Sequence, residues 1–184
     1  MIARDQIQLR SGPALNLAVV ADTHSVPQPG TLDQLRSLAP DAILHAGDIG
    51  DLGVLEQLRQ IAPLYAIRGN IDGHGDDIPD HRVIDLVAGD QTLLRILLVH
   101  IAARGPRLQG HVAKLAHAEK AKLVVCGHSH VPFVGEDRGL TIFNPGSCGP
   151  RRFSLPIVFG TISIEQGKLR FGHREAATGN AWAP

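Results

Sequence analysis

Three short apolar runs, at residues 15–21, 41–46 and 64–68, each break off into a small polar cluster, and two amphipathic segments separate them. The first run, L-N-L-A-V-V-A, gives way to Asp22 and then to Pro27, Pro29 and Gly30, so it reads as a buried strand ending in a loop. Thr31 and Gln34 have capping-box spacing, Leu32, Leu35 and Leu38 supply one helical face, and Pro40 stops the helix. The second run ends at Gly47-Asp48. Asp51 then caps a second helix carrying Leu52, Leu55, Leu58 and Ile61 in phase before Pro63, and the third run ends at Gly69-Asn70. Strand, helix, strand, helix, strand requires parallel strands joined by crossover helices, hence an α/β core.

Beyond a loop rich in Gly and Asp, residues 81–87 and 92–99 read as a β-hairpin turning through 88–91. A short helix is expected at 112–120 and a buried strand at 123–126, ending at Gly127-His128. Strands follow at 140–143, 156–164 and 168–173, the last two joined by 165–167, and the tail from 176 reads as loose, with Trp182 as its docking anchor. At 184 residues this is one domain's worth of chain, with a core about 15–175.

Composition bounds the function. Hydrophobic residues make up 43% and charged ones 20%, enough to bury a core. Lys plus Arg and Asp plus Glu are 18 each, so no basic field exists for an extended nucleic-acid surface. Cys126 and Cys148 read as small core residues in a reducing compartment. Arg4, Asp5 and Arg10 interrupt residues 1–11, unlike a signal peptide, and no apolar run approaches the ~20 residues that span a bilayer. The expectation is a soluble, cytoplasmic protein without a membrane partner; its oligomeric state stays open.

The polar clusters carry the chemistry. Asp22-Thr23-His24, Gly47-Asp48, Gly69-Asn70 with Asp72, His100 and Gly127-His128-Ser129-His130 all sit at carboxyl ends of expected strands, where open α/β sheets form ligand crevices. Asp-x-His and His-x-His would each direct two donors to one side if the segment is extended, because side chains alternate with period two. Asp22, His24, Asp48, Asn70, His100, His128 and His130 are too many donors for one tetrahedral ion and suit two ions sharing a carboxylate. Oxygen and imidazole donors without thiolate favour manganese, the leading expectation, or iron, nickel, cobalt or zinc. Two dications against only two carboxylates leave positive charge for an anionic substrate such as a phosphate ester or nucleotide.

This ordered set, followed by Asn144-Pro145-Gly146-Ser147, resembles the calcineurin-like metallophosphoesterase superfamily, especially its small prokaryotic YfcE-like phosphodiesterase branch. The resemblance implies a four-layer αββα sandwich of two mixed β-sheets flanked by helices. It also implies Asp22, His24, Asp48 and His130 around one metal, and Asp48, Asn70, His100 and His128 around the other, with Asp48 bridging. A hydroxide bridging the ions would attack phosphorus in line, and His128 would help stabilise the transition state. Catalytic roles thus fall on Asp48, Asn70 and His128. Asp72 joins them as a residue expected to orient a ligand histidine.

Two departures qualify that implication. Many relatives carry a leaving-group acid after Gly-Asn, where this chain has Ile71, and a glycine after the second-metal histidine, where it has Ile101. They raise the alternative of a catalytically weak or inactive scaffold on the same fold; a phosphomonoesterase or nucleotidase is the second alternative. Outside the motifs, His45 reads as a hydrogen-bonded core residue and His74 as a loop residue that could replace the missing acid. His81, His111, His117 and His173 read as surface histidines, and Arg68, Arg151 and Arg152 as surface charges or substrate contacts.

Overall fold

The computed structural model describes residues 2–9, 14–73, 78–165 and 168–183. In chain order the strands and helices are β1 (Ile2–Gln8), β2 (Ala14–Val20), α1 (Thr31–Leu38), β3 (Ala42–His45), α2 (Gly53–Arg59), β4 (Leu64–Ala66), β5 (His81–Ala88) and β6 (Gln91–Val99). They continue with β7 (Ala103–Arg104), β8 (Arg107–Leu108), α3 (Gly110–Ala118), β9 (Leu123–Val125), β10 (Phe133–Asp137), β11 (Leu140–Asn144), β12 (Val158–Glu165), β13 (Lys168–Glu175) and β14 (Ala181–Trp182).

Two six-stranded mixed sheets form, ordered β14-β13-β12-β2-β3-β4 and β1-β5-β6-β9-β11-β10. Alternation along the strands splits the core into three sets. Leu17, Val19 and Ala21 meet Ile96, Leu98, Val125 and Phe143 between the sheets. The intervening Ala18 and Val20 face Leu35 of α1 and Val54, Leu55 and Leu58 of α2 on the outer side of the first sheet. Leu97, Val99 and Val124 face Val112, Ala113 and Ala116 of α3 on the outer side of the second. The layers therefore run helix, sheet, sheet, helix. Each sheet contains a parallel trio, β2-β3-β4 in one and β6-β9-β11 in the other, and these align the strand ends that carry the polar motifs.

The helical starts differ in detail from the sequence expectation. Thr31 is the first residue of α1 rather than its cap; its hydroxyl donates to Gln28 O at 2.6 Å, and Gly30 occupies the N-cap without a side-chain bond. Asp51 does take the Gly53 N–H at 2.7 Å, but Leu52 is the capping residue. The tail is less loose than its composition suggested, since β14 pairs with β13 and Trp182 sets its ring edge-on to His173. Of the expected turn at 165–167, residues 166 and 167 lie outside the described residues, as does His74. No helix among the described residues is long and apolar enough to cross a membrane.

Candidate metal centre

The parallel trios bring the predicted residues together as two groups. Donor atoms of Asp22, His24 and His130 lie within 4.8 Å of one another, and so do those of Asp48, His100 and His128. His130 Nε2 is 3.5 Å from Asp22 Oδ1 and 3.5 Å from His24 Nε2. Asp48 joins the groups: Oδ1 is 3.2 Å from His100 Nε2, and Oδ2 is 3.8 Å from His24 Nε2. Asn70 lines the cavity beside His100. Ile101 lines it too, without keeping His100 from Asp48.

The backbone achieves this convergence in a way the sequence pattern did not indicate. Asp22, His24, Asp48, His128 and His130 all have left-handed φ, between 44° and 66°, so neither x-separated pair is extended. A conformation uncommon outside glycine recurs at five donor positions, as strained backbone does at functional sites. Close backbone approach helps: a Cβ on Gly69 would collide with the Asp48 backbone nitrogen and Oδ1.

Surrounding hydrogen bonds hold the loops. Asp72 accepts the N–H groups of Ile49 and Gly50, each at 2.9 Å, and of Gly69 at 2.7 Å. It clamps the Asp48 loop to the Asn70 loop through backbone, so the expectation that it orients a histidine is corrected. Ala46 O does that instead, accepting His100 Nδ1–H at 2.7 Å and turning Nε2 inward. Fully buried His45 accepts Gly47 N–H on Nδ1 at 3.2 Å, so its proton sits on Nε2, 3.0 Å from the Thr23 hydroxyl, which donates to Ile49 O at 3.0 Å. That relay ties the Asp22 and Asp48 loops together. Ser147 donates to Asp22 O at 3.0 Å, while Asn144 Nδ2 donates to Gly127 O at 2.7 Å. His173, expected at the surface, is buried, stacked on Phe143 and donating to Asn144 O at 2.8 Å.

Electrostatics favour a bound cation. Burial pushes the Asp22 carboxyl up to about 7, against the charge of His100 and the His128 N–H. Burial would also raise Asp48, but the His100 imidazole and the Ile71 and Asn70 N–H groups outweigh it and hold that carboxyl below its usual range. Burial and the Arg152 charge lower His24, and burial with Arg152 and His24 lowers His130 to about 4, so these rings are neutral donors. His100 Nε2 and His130 Nδ1 are buried without hydrogen-bond partners. His100 Nε2, unsatisfied beside the Asp48 carboxylate, and His130 Nε2, facing Asp22, fit a divalent ion by both donor type and electrostatics.

Among the expected contacts outside the motifs, Arg68 pairs with Asp80, and Arg151 donates to Leu155 O at 3.0 Å. Exposed Arg152 is the arginine whose charge acts on the donor residues. Both cysteines are buried, with burial pushing each thiol up to about 12.

A layered sandwich with paired Asp/His groups at its strand ends defines a class of α/β proteins built to hold metal. More specifically, residues 15–167 match the calcineurin-like phosphoesterase superfamily domain, and the chain belongs to that superfamily. A probable metallophosphoesterase of Methanothermobacter thermautotrophicus is 30% identical over 162 residues, covering 83% of this chain and 88% of the relative. The fold is similar to Vacuolar Protein Sorting 29 from Cryptosporidium parvum, at a TM-score of 0.73, 17% identity and coverage of 93% and 96% of the two chains. It is also similar to YfcE, a phosphoesterase from E. coli, at a TM-score of 0.61, 18% identity and coverage of 92% and 97%. Family and donor groups together imply divalent-metal binding.

Proposed function

We propose that the chain is a dinuclear metal-dependent phosphoesterase acting on phosphodiesters. The observation that carries this reading is Asp48, whose two carboxylate oxygens face His100 at 3.2 Å and His24 at 3.8 Å, one histidine from each donor group. Asp22, His24, Asp48 and His130 would hold one ion, and Asp48, Asn70, His100 and His128 the other. Bound ions would supply Lewis acidity and a water activated for attack on phosphorus. The chain's own part is to orient the donors through Ala46 O, Asp72 and the His45 relay, and to present the exposed His128 and Arg152 to phosphoryl oxygens.

Two cavities, one lined by residues of the second group and one by the neighbours of His128, suit the two organic arms of a diester. One, of about 410 Å³, is mainly apolar and is lined by Gly127 and Ser129 on either side of His128, with Val131 and Phe133 on its wall. The other, of about 460 Å³, is mixed in lining and includes Asn70 and His100. Hydrolysis of bis-p-nitrophenyl phosphate with Mn²⁺ or Ni²⁺ is the expected result, abolished by EDTA and by Asp48→Ala; no metal-dependent turnover of any diester would overturn the reading. Similarity to Vacuolar Protein Sorting 29 favours, as second reading, a scaffold that presents this fold to a protein partner. Two ions per purified chain support the enzyme, and none supports the scaffold.

A further inference from the structure

The cavity beside His100 is lined by two histidines that belong to no motif, His81 and His111. His81 opens β5, and the antiparallel ladder sets it opposite Val99, the residue before His100. His111 is the second residue of α3, whose start is tied to the segment after His100 by Gln109 N–H donating to Ala102 O at 2.9 Å. A strand register and a helix anchor thus independently bring both imidazoles to the wall carrying Asn70 and His100. Neither ring has a hydrogen-bond partner among the described residues. The carboxylates of that wall are engaged, Asp72 by backbone N–H groups and Asp80 by Arg68. Meanwhile Ile71, at the position of the missing leaving-group acid, is 51% exposed and aliphatic.

We propose that this cavity is the leaving-group site and that the His81–His111 pair delivers the proton that an alkoxide leaving group requires. The proposal rests on the phosphoesterase reading above and deepens it. As the phosphorus–oxygen bond to the leaving group breaks, its electron pair stays on that oxygen, which takes the proton from an imidazolium nitrogen and departs as alcohol. Water contributes the oxygen that joins phosphorus; its displaced proton goes to solvent, and solvent reprotonates the imidazole. The substrates favoured are diesters of unactivated alcohols, such as sugar hydroxyls.

The test compares wild type with the double variant His81→Gln/His111→Gln on two diesters: bis-p-nitrophenyl phosphate, whose leaving group needs no proton, and dithymidine 3′,5′-monophosphate, whose leaving group does. The expected result is that kcat/KM for the dinucleotide falls about 10²-fold or more relative to that for the aryl ester, the range of general acid catalysis. Equal losses on both, no loss on either, or a wild type that cleaves only the aryl ester would overturn the proposal. A wild type inactive on both overturns the underlying reading instead. Independently of turnover, titrating EDTA-treated protein with thymidine should shift the His81 and His111 ring resonances and leave His117, on the exposed face of α3, unmoved. Unmoved His81 and His111 rings would count against the leaving-group site.

Discussion

Replacing Asp22 by Asn should stabilise the metal-free protein while weakening metal binding at the group it shares with His24 and His130. The carboxyl is 0% exposed, and burial lifts its pKa from 3.8 to about 7, even though the His128 N–H donates to it at 3.0 Å. A folded-state pKa above the unfolded one means that the folded chain binds the proton more tightly. Stability from this group is therefore complete below about pH 4 and is lost as pH rises through about 7. Roughly three units at about 1.4 kcal/mol each amount to a cost of about 4 kcal/mol once Asp22 is ionised. Asn cannot ionise, keeps an oxygen for the His128 N–H, and offers its amide to His130 Nε2, which lies 3.5 Å from Oδ1.

Urea unfolding in EDTA at several pH values is the assay. Taking variant minus wild type cancels the other titrating groups to first order. The difference should be flat below pH 4, climb by about 1.4 kcal/mol per pH unit to pH 7, and level off above it. With Mn²⁺ at a hundredfold excess over the Kd of each group, wild type should gain about 2.7 kcal/mol per ion, and the variant should lose the share of the group that contains Asp22. A pH-independent difference, or a variant less stable than wild type at pH 8 without metal, would refute the claim that burial of this carboxylate is offset only by a cation.

Gly69→Ala should force Asp48 away, because the new Cβ collides with its backbone nitrogen and Oδ1; thermal melts should show a loss of about 1–3 kcal/mol and metal analysis fewer than two ions per chain. His45→Phe leaves the buried Gly47 N–H without its acceptor, at a cost of about 1–3 kcal/mol, and should weaken metal binding measured by calorimetry more than Thr23→Val does, since Thr23 is the far end of the same relay. Arg152→Ala, if the arginine meets the substrate anion, should raise KM for the aryl diester about tenfold with kcat nearly unchanged; a fall in kcat alone would reassign it.

How far the sequence reveals this fold depends on where a strand lies in its sheet. The central strands β3 and β9 and the last four residues of β6 are buried on both faces, as is most of β2, so 15–21, 41–46, 96–99 and 123–126 read as apolar runs. Of the strands that went unrecognised, β1, β10 and β14 are sheet edges, half in solvent and mixed in composition, and β7 and β8 are two-residue strands paired with each other. Pairing with a neighbour forms β1, whose Arg4 and Asp5 reach Glu119 and Arg82, and no local pattern announces that.

The site divides along a similar line. Residue types at strand ends give away Asp22, His24, Asp48, His100, His128 and His130, because parallel strands in one sheet must deliver their carboxyl ends to one edge. The means of aiming them were not legible: period-two alternation assigned extended backbone to Asp-x-His and His-x-His, whereas all four residues are left-handed. Extended segments would have pointed each pair the same way along the crevice; in the folded chain Asp22 and His24 share one group, whereas His128 and His130 fall one to each. A local rule broken at five donor positions must be upheld by the surroundings, and here the holding bonds come from far along the chain, Ser147 onto Asp22 O and Asn144 onto Gly127 O. That is why the Asn144–Ser147 motif belongs with the donors although it supplies none. It fixes the strained loops that carry one of these histidines to each donor group.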